Sequence, residues 1–206
     1  MRETVGVVGA IIPWNFPLLM AIERVAPALA CGNALILKPA EQTPLAALYL
    51  AEIMAEAGLP DGVVNVVPGF GETAGDALAA HVGVDKIAFT GSTEVGRLVA
   101  NAATGNLKKV SLELGGKSPN IVFSDADRQT AIAGAAGAIF FNQGECCVAG
   151  SRLYVQADSF EEVVAGVVDV AKSIKVGNGL DPDTQMGPLI SEEQLASCLL
   201  YTSRCV

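Results

Sequence analysis

Histidine and tryptophan occur once each in this 206-residue chain, aromatic residues make up 5% of it and charged residues 17%. With His81 the single imidazole, and Cys146 and Cys147 adjacent, the side chains that would complete a tetrahedral metal shell are missing, so no metal is expected. Thirteen Lys and Arg stand against 22 Asp and Glu, a net charge of -9, and no basic run is interleaved with aromatics. Nucleic acid is therefore not an expected partner. No apolar run reaches the ~18 residues that cross a bilayer. The longest, residues 5–14 and 131–141, are both interrupted by glycine, so no membrane is expected either. The start, Met1-Arg2-Glu3-Thr4, and the Trp14-Asn15-Phe16 turn after it lack the pattern of a signal peptide. The cytoplasm, or an organelle reached through a transit peptide, is the expected compartment. Cys31, Cys146, Cys147, Cys198 and Cys205 are too few for a disulfide scaffold, and neighbours such as Cys146 and Cys147 cannot bridge without strain. Cysteine here means thiol.

What is present is apolar mass: 51% of the residues are hydrophobic, enough for a sizeable core in one to two domains. Apolar β-type runs occupy residues 4–12, 33–37, 63–67, 86–90, 110–114, 120–123 and 152–155. Several are apolar throughout, as strands covered on both faces are. Thr43-Pro44 opens a helical stretch that Gly58 ends, and Asp158 with Glu161 predicts a capping box for a helix over 159–174. Strand and helix alternating at this spacing predict an α/β fold with a doubly wound parallel sheet. A boundary between two lobes is expected at Gly115-Gly116, where backbone freedom permits a crossover.

In such sheets ligands collect beyond the carboxyl ends of the strands, where helix N-termini and unpaired backbone N–H groups point. Four segments fall there: Pro13-Trp14-Asn15-Phe16-Pro17, Lys38-Pro39-Ala40-Glu41, Gly91-Ser92-Thr93-Glu94-Val95-Gly96, and Glu113-Leu114-Gly115-Gly116. The third is either a phosphate cradle or a tight turn capped by Ser92; it is neither a G-x-G-x-x-G nor a Walker loop. Lys38 and Glu41 are either a solvated pair beside a helix start or a ribose and phosphate contact, since a carboxylate accepts from both ribose hydroxyls and repels a 2′-phosphate. Cys146 and Cys147 sit in a polar, glycine-rich stretch, residues 142–150. Each is either a buried structural thiol or a nucleophile. His81 reads as a surface or capping residue after a helix. A catalytic thiol would then need a carboxylate or water as proton acceptor, and Glu113 at a strand end is the leading candidate.

Together these segments resemble the aldehyde dehydrogenase superfamily. Further matches are Gln42-Thr43-Pro44, Gly58-Leu59-Pro60, Phe89-Thr90, Leu112, Lys117-Ser118-Pro119, residues 142–152 and Met186-Gly187-Pro188-Leu189-Ile190, so that the likeness runs from Val5 to about Gln194. It implies an NAD-dependent oxidation of a small-molecule aldehyde through a thiohemiacetal and a thioester. Cys147 would be the nucleophile. Asn15 and the Cys147 backbone N–H would stabilise the oxyanion, and Glu113 would activate the water that releases the acid. Cys146 has no essential role in this scheme. Ile11, Ile12, Pro13, Trp14, Lys38, Glu41, Gly71, Gly91, Ser92, Thr93, Glu94, Val95, Gly96 and Leu114 match positions that contact NAD. Phe16, Met20 and Glu23 match the substrate tunnel, and family members form homodimers or homotetramers.

The resemblance also implies how the chain is divided: residues 1–114 as part of an NAD-binding domain, 115–196 as part of a catalytic domain, and 197–206 as a non-native tail that no longer looks like the family. A slice of this kind is expected to be inactive alone, acting at most as a binding or structural piece. A CoA-acylating relative is the enzymatic alternative, against which the presence of Glu113 argues. Glu145 stands where the pattern most often has Gln, and a carboxylate two residues from a thiolate disfavours its ionisation unless it points away.

Overall fold

A computed structural model describes residues 3–203, with side chains through residue 199. Met1, Arg2 and the end of the expected tail, Cys205 included, lie outside the described residues. By its own contacts the chain divides into two compact units, the first ending at Leu114 and the second beginning at Gly115.

The first unit is an α/β layer structure around five parallel strands: β1 (Val7–Ile11), β2 (Ala34–Lys38), β3 (Val64–Val66), β4 (Lys86–Gly91) and β5 (Lys109–Leu114). Their order is β3-β2-β1-β4-β5, so the chain winds outward from β1 and then returns to the other side of it. The reversal falls between β1 and β4, the topological switch point at which open sheets of this kind hold ligands.

Both faces of the central strands β1, β2 and β4 are covered, which is why they are apolar apart from Lys38, Lys86 and Thr90 at their ends. Val8, Ala10, Leu35 and Leu37 pack on one face against Ala21, Val25 and Ala28 of α1 (Pro17–Ala30) and Ala47 of α2 (Leu45–Glu56). Ile11, Ile87 and Phe89 pack on the other against Leu78 and Ala79 of α3 (Asp76–Ala80) and Val99 of α4 (Thr93–Ala102). Gly9 keeps the second face low, because a Cβ there would lie 2.8 Å from Ile87 Cδ1 and 3.2 Å from Leu78 Cδ1.

The run over residues 4–12 becomes a strand only from Val7, and Asn33 stays outside β2. One side chain accounts for both. Buried Asn33 accepts the N–H groups of Val5 (2.7 Å) and Gly6 (3.0 Å) through Oδ1, and donates through Nδ2 to Ala28 O (3.2 Å). Hydrogen bonds that would have extended the ladder are spent on this clip. Asn33→Ala strands two amides, while Ala28 O keeps the Asn33 backbone N–H at 2.9 Å, and is expected to lower the unfolding free energy by about 2–3 kcal/mol. Urea titration followed by circular dichroism checks it, and a loss under about 0.5 kcal/mol would show that water replaces the clip.

In the second unit β6 (Pro119–Val122) pairs in parallel with β7 (Arg152–Val155), with α5 (Arg128–Phe140) and α6 (Phe160–Ser173) packed on each other and α7 (Glu192–Ser203) following. Asp127 caps α5, its carboxylate accepting the Thr130 N–H at 2.8 Å, and hydrogen bonding from the Thr130 side chain and then from this N–H holds the carboxyl below its ordinary range. The capping box expected for α6 does not form. A 3-10 turn, Ala157–Ser159, places Asp158 short of the cap position, and the buried Ser159 hydroxyl instead donates to Gln156 O at 3.2 Å. Residues 197–203 of the expected tail continue helix α7. Among the described residues no helix is long and apolar enough to cross a membrane.

Candidate active site

The carboxyl ends of the first unit's strands form a rim that carries most of the candidate residues. Ile11 pairs with Lys38 on one side and Phe89 on the other, Ile12 N–H donates to Lys38 O at 3.1 Å, and Gly91 pairs with Leu114. Pro13, Trp14 and Asn15, all half-buried, form the bend from β1 into α1, and Phe16 is the residue before that helix. Gly71 is exposed at the start of a short turn, Gly71–Gly75, beyond β3, and the space its missing side chain would fill is open. Met20 packs at the edge of the core and Glu23 is exposed on α1.

Lys38 is buried at the end of β2, and its Nζ donates to Glu41 Oε2 at 3.1 Å. Burial pushes the Glu41 carboxyl up, but hydrogen bonds from its own backbone amide and from Lys38, together with the lysine charge, outweigh that and leave it below the ordinary carboxylate range. The Glu41 carboxylate is thus held at the rim by the buried Lys38 side chain.

At the end of β4, Ser92 Oγ accepts the Val95 N–H at 3.2 Å and caps α4, as the sequence predicts. The first turn of α4 sits close against β5 because Gly96 faces Leu114; a Cβ there would lie 2.6 Å from Leu114 Cδ2. This brings Thr93, Glu94 and Val95 to the same rim. Glu113 is exposed on β5 opposite Thr90, whose Oγ1 accepts from Arg24 of α1 at 2.8 Å. Arg24 escaped the sequence reading, although a cation among the buried Ala21, Val25 and Ala28 of one helix face was a signal. Its Nε is buried without a hydrogen-bond partner among the described residues.

Cys147 belongs to the second unit. Helix α5 ends in a turn, Phe141–Gly144, in which Asn142 (φ 48°), Gln143 (φ 57°) and Gly144 (φ 77°) are all left-handed. Glu145 N–H donates back to Asn142 O at 2.8 Å, Cys146 Sγ reaches Phe141 O at 3.8 Å, and Ala149 N–H donates to Cys146 O at 3.2 Å. Cys146 is half-buried and Cys147 exposed. Burial raises the Cys146 thiol above its usual value, and the neighbouring Cys147 and Glu145 raise it further. Gly116 packs beside the Cys147 carbonyl, 3.4 Å from where its Cβ would stand. Glu145 points to Ile190, accepting its N–H at 3.2 Å, and burial raises its carboxyl above the ordinary range.

His81 terminates α3, exposed, with Nδ1 accepting the Gly83 N–H at 3.0 Å, a capping role rather than a base. Two carbonyls at that end, Ala79 O and His81 O, take hydrogen bonds from the buried Lys108 Nζ at 2.6 and 2.8 Å. Among the described residues no cluster of three or more His, Cys, Asp or Glu could hold a metal ion.

The first unit is thus a doubly wound parallel sheet with a polar rim, and the second presents Cys147 exposed just after a left-handed turn. The aldehyde dehydrogenase family model matches residues 1–206, and the chain belongs to that family. Phenylacetaldehyde dehydrogenase of Pseudomonas fluorescens is 61% identical over 200 residues, 97% of this chain and 40% of that protein. Human retinal dehydrogenase 2 is 58% identical over 194 residues, 94% of this chain and 38% of that protein. An NAD+ complex of the aldehyde dehydrogenase from Bacillus cereus superposes with a TM-score of 0.96 at 51% identity, covering 98% of this chain and 41% of that one. A betaine aldehyde dehydrogenase double mutant from Staphylococcus aureus, in complex with NAD+ and with a BME-modified cysteine, superposes at 0.94 and 44% identity, again covering 98% and 41%. The chain thus spans about two fifths of the length of these relatives.

Proposed function

We propose that the protein carrying this chain oxidises an aldehyde to the carboxylic acid with NAD, Cys147 acting as nucleophile, Asn15 as oxyanion donor and Glu113 as general base. The cysteine turn carries the reading: of two adjacent thiols only Cys147 is exposed, just after a turn whose residues Asn142, Gln143 and Gly144 are left-handed. The rim fits a dinucleotide by its donor set. A buried ammonium with an ionised carboxylate suits a ribose, and a capped helix start behind a glycine suits a phosphate. Lys38 and Glu41 would hold the adenosine ribose, and Gly91 to Gly96 the pyrophosphate, with Ile11, Ile12, Pro13, Trp14, Gly71 and Leu114 around them.

The Cys147 thiolate attacks the carbonyl carbon, and the oxyanion that develops takes hydrogen bonds from the Asn15 side-chain amide and the Cys147 backbone N–H. NAD, when bound, supplies the acceptor for the hydride that leaves the substrate carbon. Cys147 Sγ then holds the acyl group as a thioester. Glu113 takes a proton from the attacking water, and the acid leaves with regeneration of the thiol.

NADH formation from a panel of aldehydes headed by phenylacetaldehyde and retinal tests the reading in the full-length protein. NADH without acid product, or turnover only with a thiol acceptor, would assign the CoA-acylating reaction instead. Glu41 supplies a separate check. Removing its carboxylate weakens the hold on the ribose hydroxyls and relieves repulsion of a 2′-phosphate. Glu41→Ser is expected to shift the NAD to NADP preference toward NADP by about tenfold or more, one such factor being ~1.4 kcal/mol. Unchanged ratios of kcat/KM would place the adenosine elsewhere.

A further inference from the structure

Two adjacent thiols cannot both face one carbonyl, so the turn that carries them must choose. Asn142 and Gln143 are left-handed without being glycine. Such residues cost roughly 1 kcal/mol or more each, and persist only where surrounding contacts over-determine them. Local bonds from Glu145 N–H to Asn142 O and from Ala149 N–H to Cys146 O close the turn on itself. A contact that ties it to a distant segment is the Glu145 side chain, whose Oε1 accepts the N–H of Ile190, 45 residues away. Gln143 lies against the same segment, its Nε2 3.2 Å from where a Cβ on Gly187 would stand. Residues 186–190 therefore back the turn, and Ser191 Oγ, accepting the Gln194 N–H at 3.1 Å, starts α7 immediately after them.

We propose that Glu145 is a positioning residue that selects between the thiols: by clasping Ile190 it holds the turn in the form that leaves Cys146 half-buried and Cys147 exposed. This inference rests on Cys147 being the nucleophile. Cys146 is half-buried, with Phe141 O as its acceptor at 3.8 Å, and is the less accessible of the two thiols. The clasp needs an oxygen acceptor and no charge. Glutamine supplies the same acceptor and removes the carboxylate charge that helps to raise the Cys146 thiol.

The test uses the 206-residue chain with Glu145→Gln and Glu145→Ala. Each is pulsed with iodoacetamide from about pH 6 to about pH 10, adducts are assigned by peptide mass spectrometry, and amide exchange is followed over residues 186–190. The unaltered chain is expected to label Cys147 at least about tenfold faster than Cys146 on the alkaline plateau, with exposed Cys31 as internal reference. Glu145→Ala is expected to raise exchange at Ile190 about fivefold or more and to narrow the thiol ratio to below about threefold. Glu145→Gln is expected to keep both at their original values while moving the Cys146 labelling profile to lower pH, because the charge is gone and the acceptor is not. An unchanged ratio and exchange in Glu145→Ala, or loss of protection in Glu145→Gln, overturns the proposal. Should Glu145→Ala fail to fold, Glu145→Gln decides by the same criteria. None of these readouts needs turnover, so a failure of the nucleophile assignment, seen in the aldehyde assay, is told apart from a failure of the clasp.

Discussion

Cys147→Ser in the full-length protein is expected to abolish aldehyde oxidation, by a factor of about 10⁴ or more, while Cys146→Ser retains most of it. A serine hydroxyl at neutral pH is a far weaker nucleophile than a thiolate unless a base activates it, and the one histidine of this sequence is occupied at the end of α3. Cys146 can lose its sulfur at little cost, because its thiol makes only a long contact to Phe141 O. Steady-state NADH formation measures both variants. Equal loss from both would mean that the two sulfurs act as a unit, and the assignment of one nucleophile would fall.

Glu113→Gln is expected to separate two halves of the reaction. Oxidation to the thioester precedes the step that needs a base, so the variant should release about one NADH per site in a fast phase and then turn over ~10²–10⁴-fold more slowly. Rapid-mixing absorbance with enzyme at substrate-like concentration resolves the two phases. Disappearance of the fast phase would place Glu113 earlier, in generating the thiolate. The amide variant should fold normally, since Glu113 is exposed at the end of β5 and its backbone pairing with Thr90 does not involve the side chain.

All seven apolar runs form strands: β1, β2 and β4 are legible because burial on both faces leaves no polar alternation to disguise them, while β3, β5, β6 and β7, mostly half-buried or exposed, are legible only from their β-branched and apolar residues. Ser92 is legible as a cap, since a hydroxyl just before a helical stretch has few other local partners. Asn33 is not: an asparagine at the start of an apolar run looks like a strand's first residue, and its clip on Val5 and Gly6 spans 28 and 27 residues. The Asp158 capping box fails for a related reason, that the 3-10 turn shifting it out of place depends on the burial of Ser159. At the site, the rim follows from strand order. The left-handed course of Asn142 and Gln143 does not, because no glycine marks it, and neither does the partnership of Glu145 with a residue in another segment.

The strand order also bears on how the chain is made. β1 lies in the middle of its sheet, paired on one side with β2 from residue 34 onward and on the other with β4, beginning at Lys86. During synthesis from the N-terminus, β1, β2 and β3 can assemble before β4, the native partner of the other edge of β1, has left the ribosome. The crevice at the switch point is bounded by this late pairing. The capacity to hold a dinucleotide is thus among the last features of the first unit to be acquired, and a nascent chain stalled between β3 and β4 exposes a bare, wholly apolar strand to its neighbours.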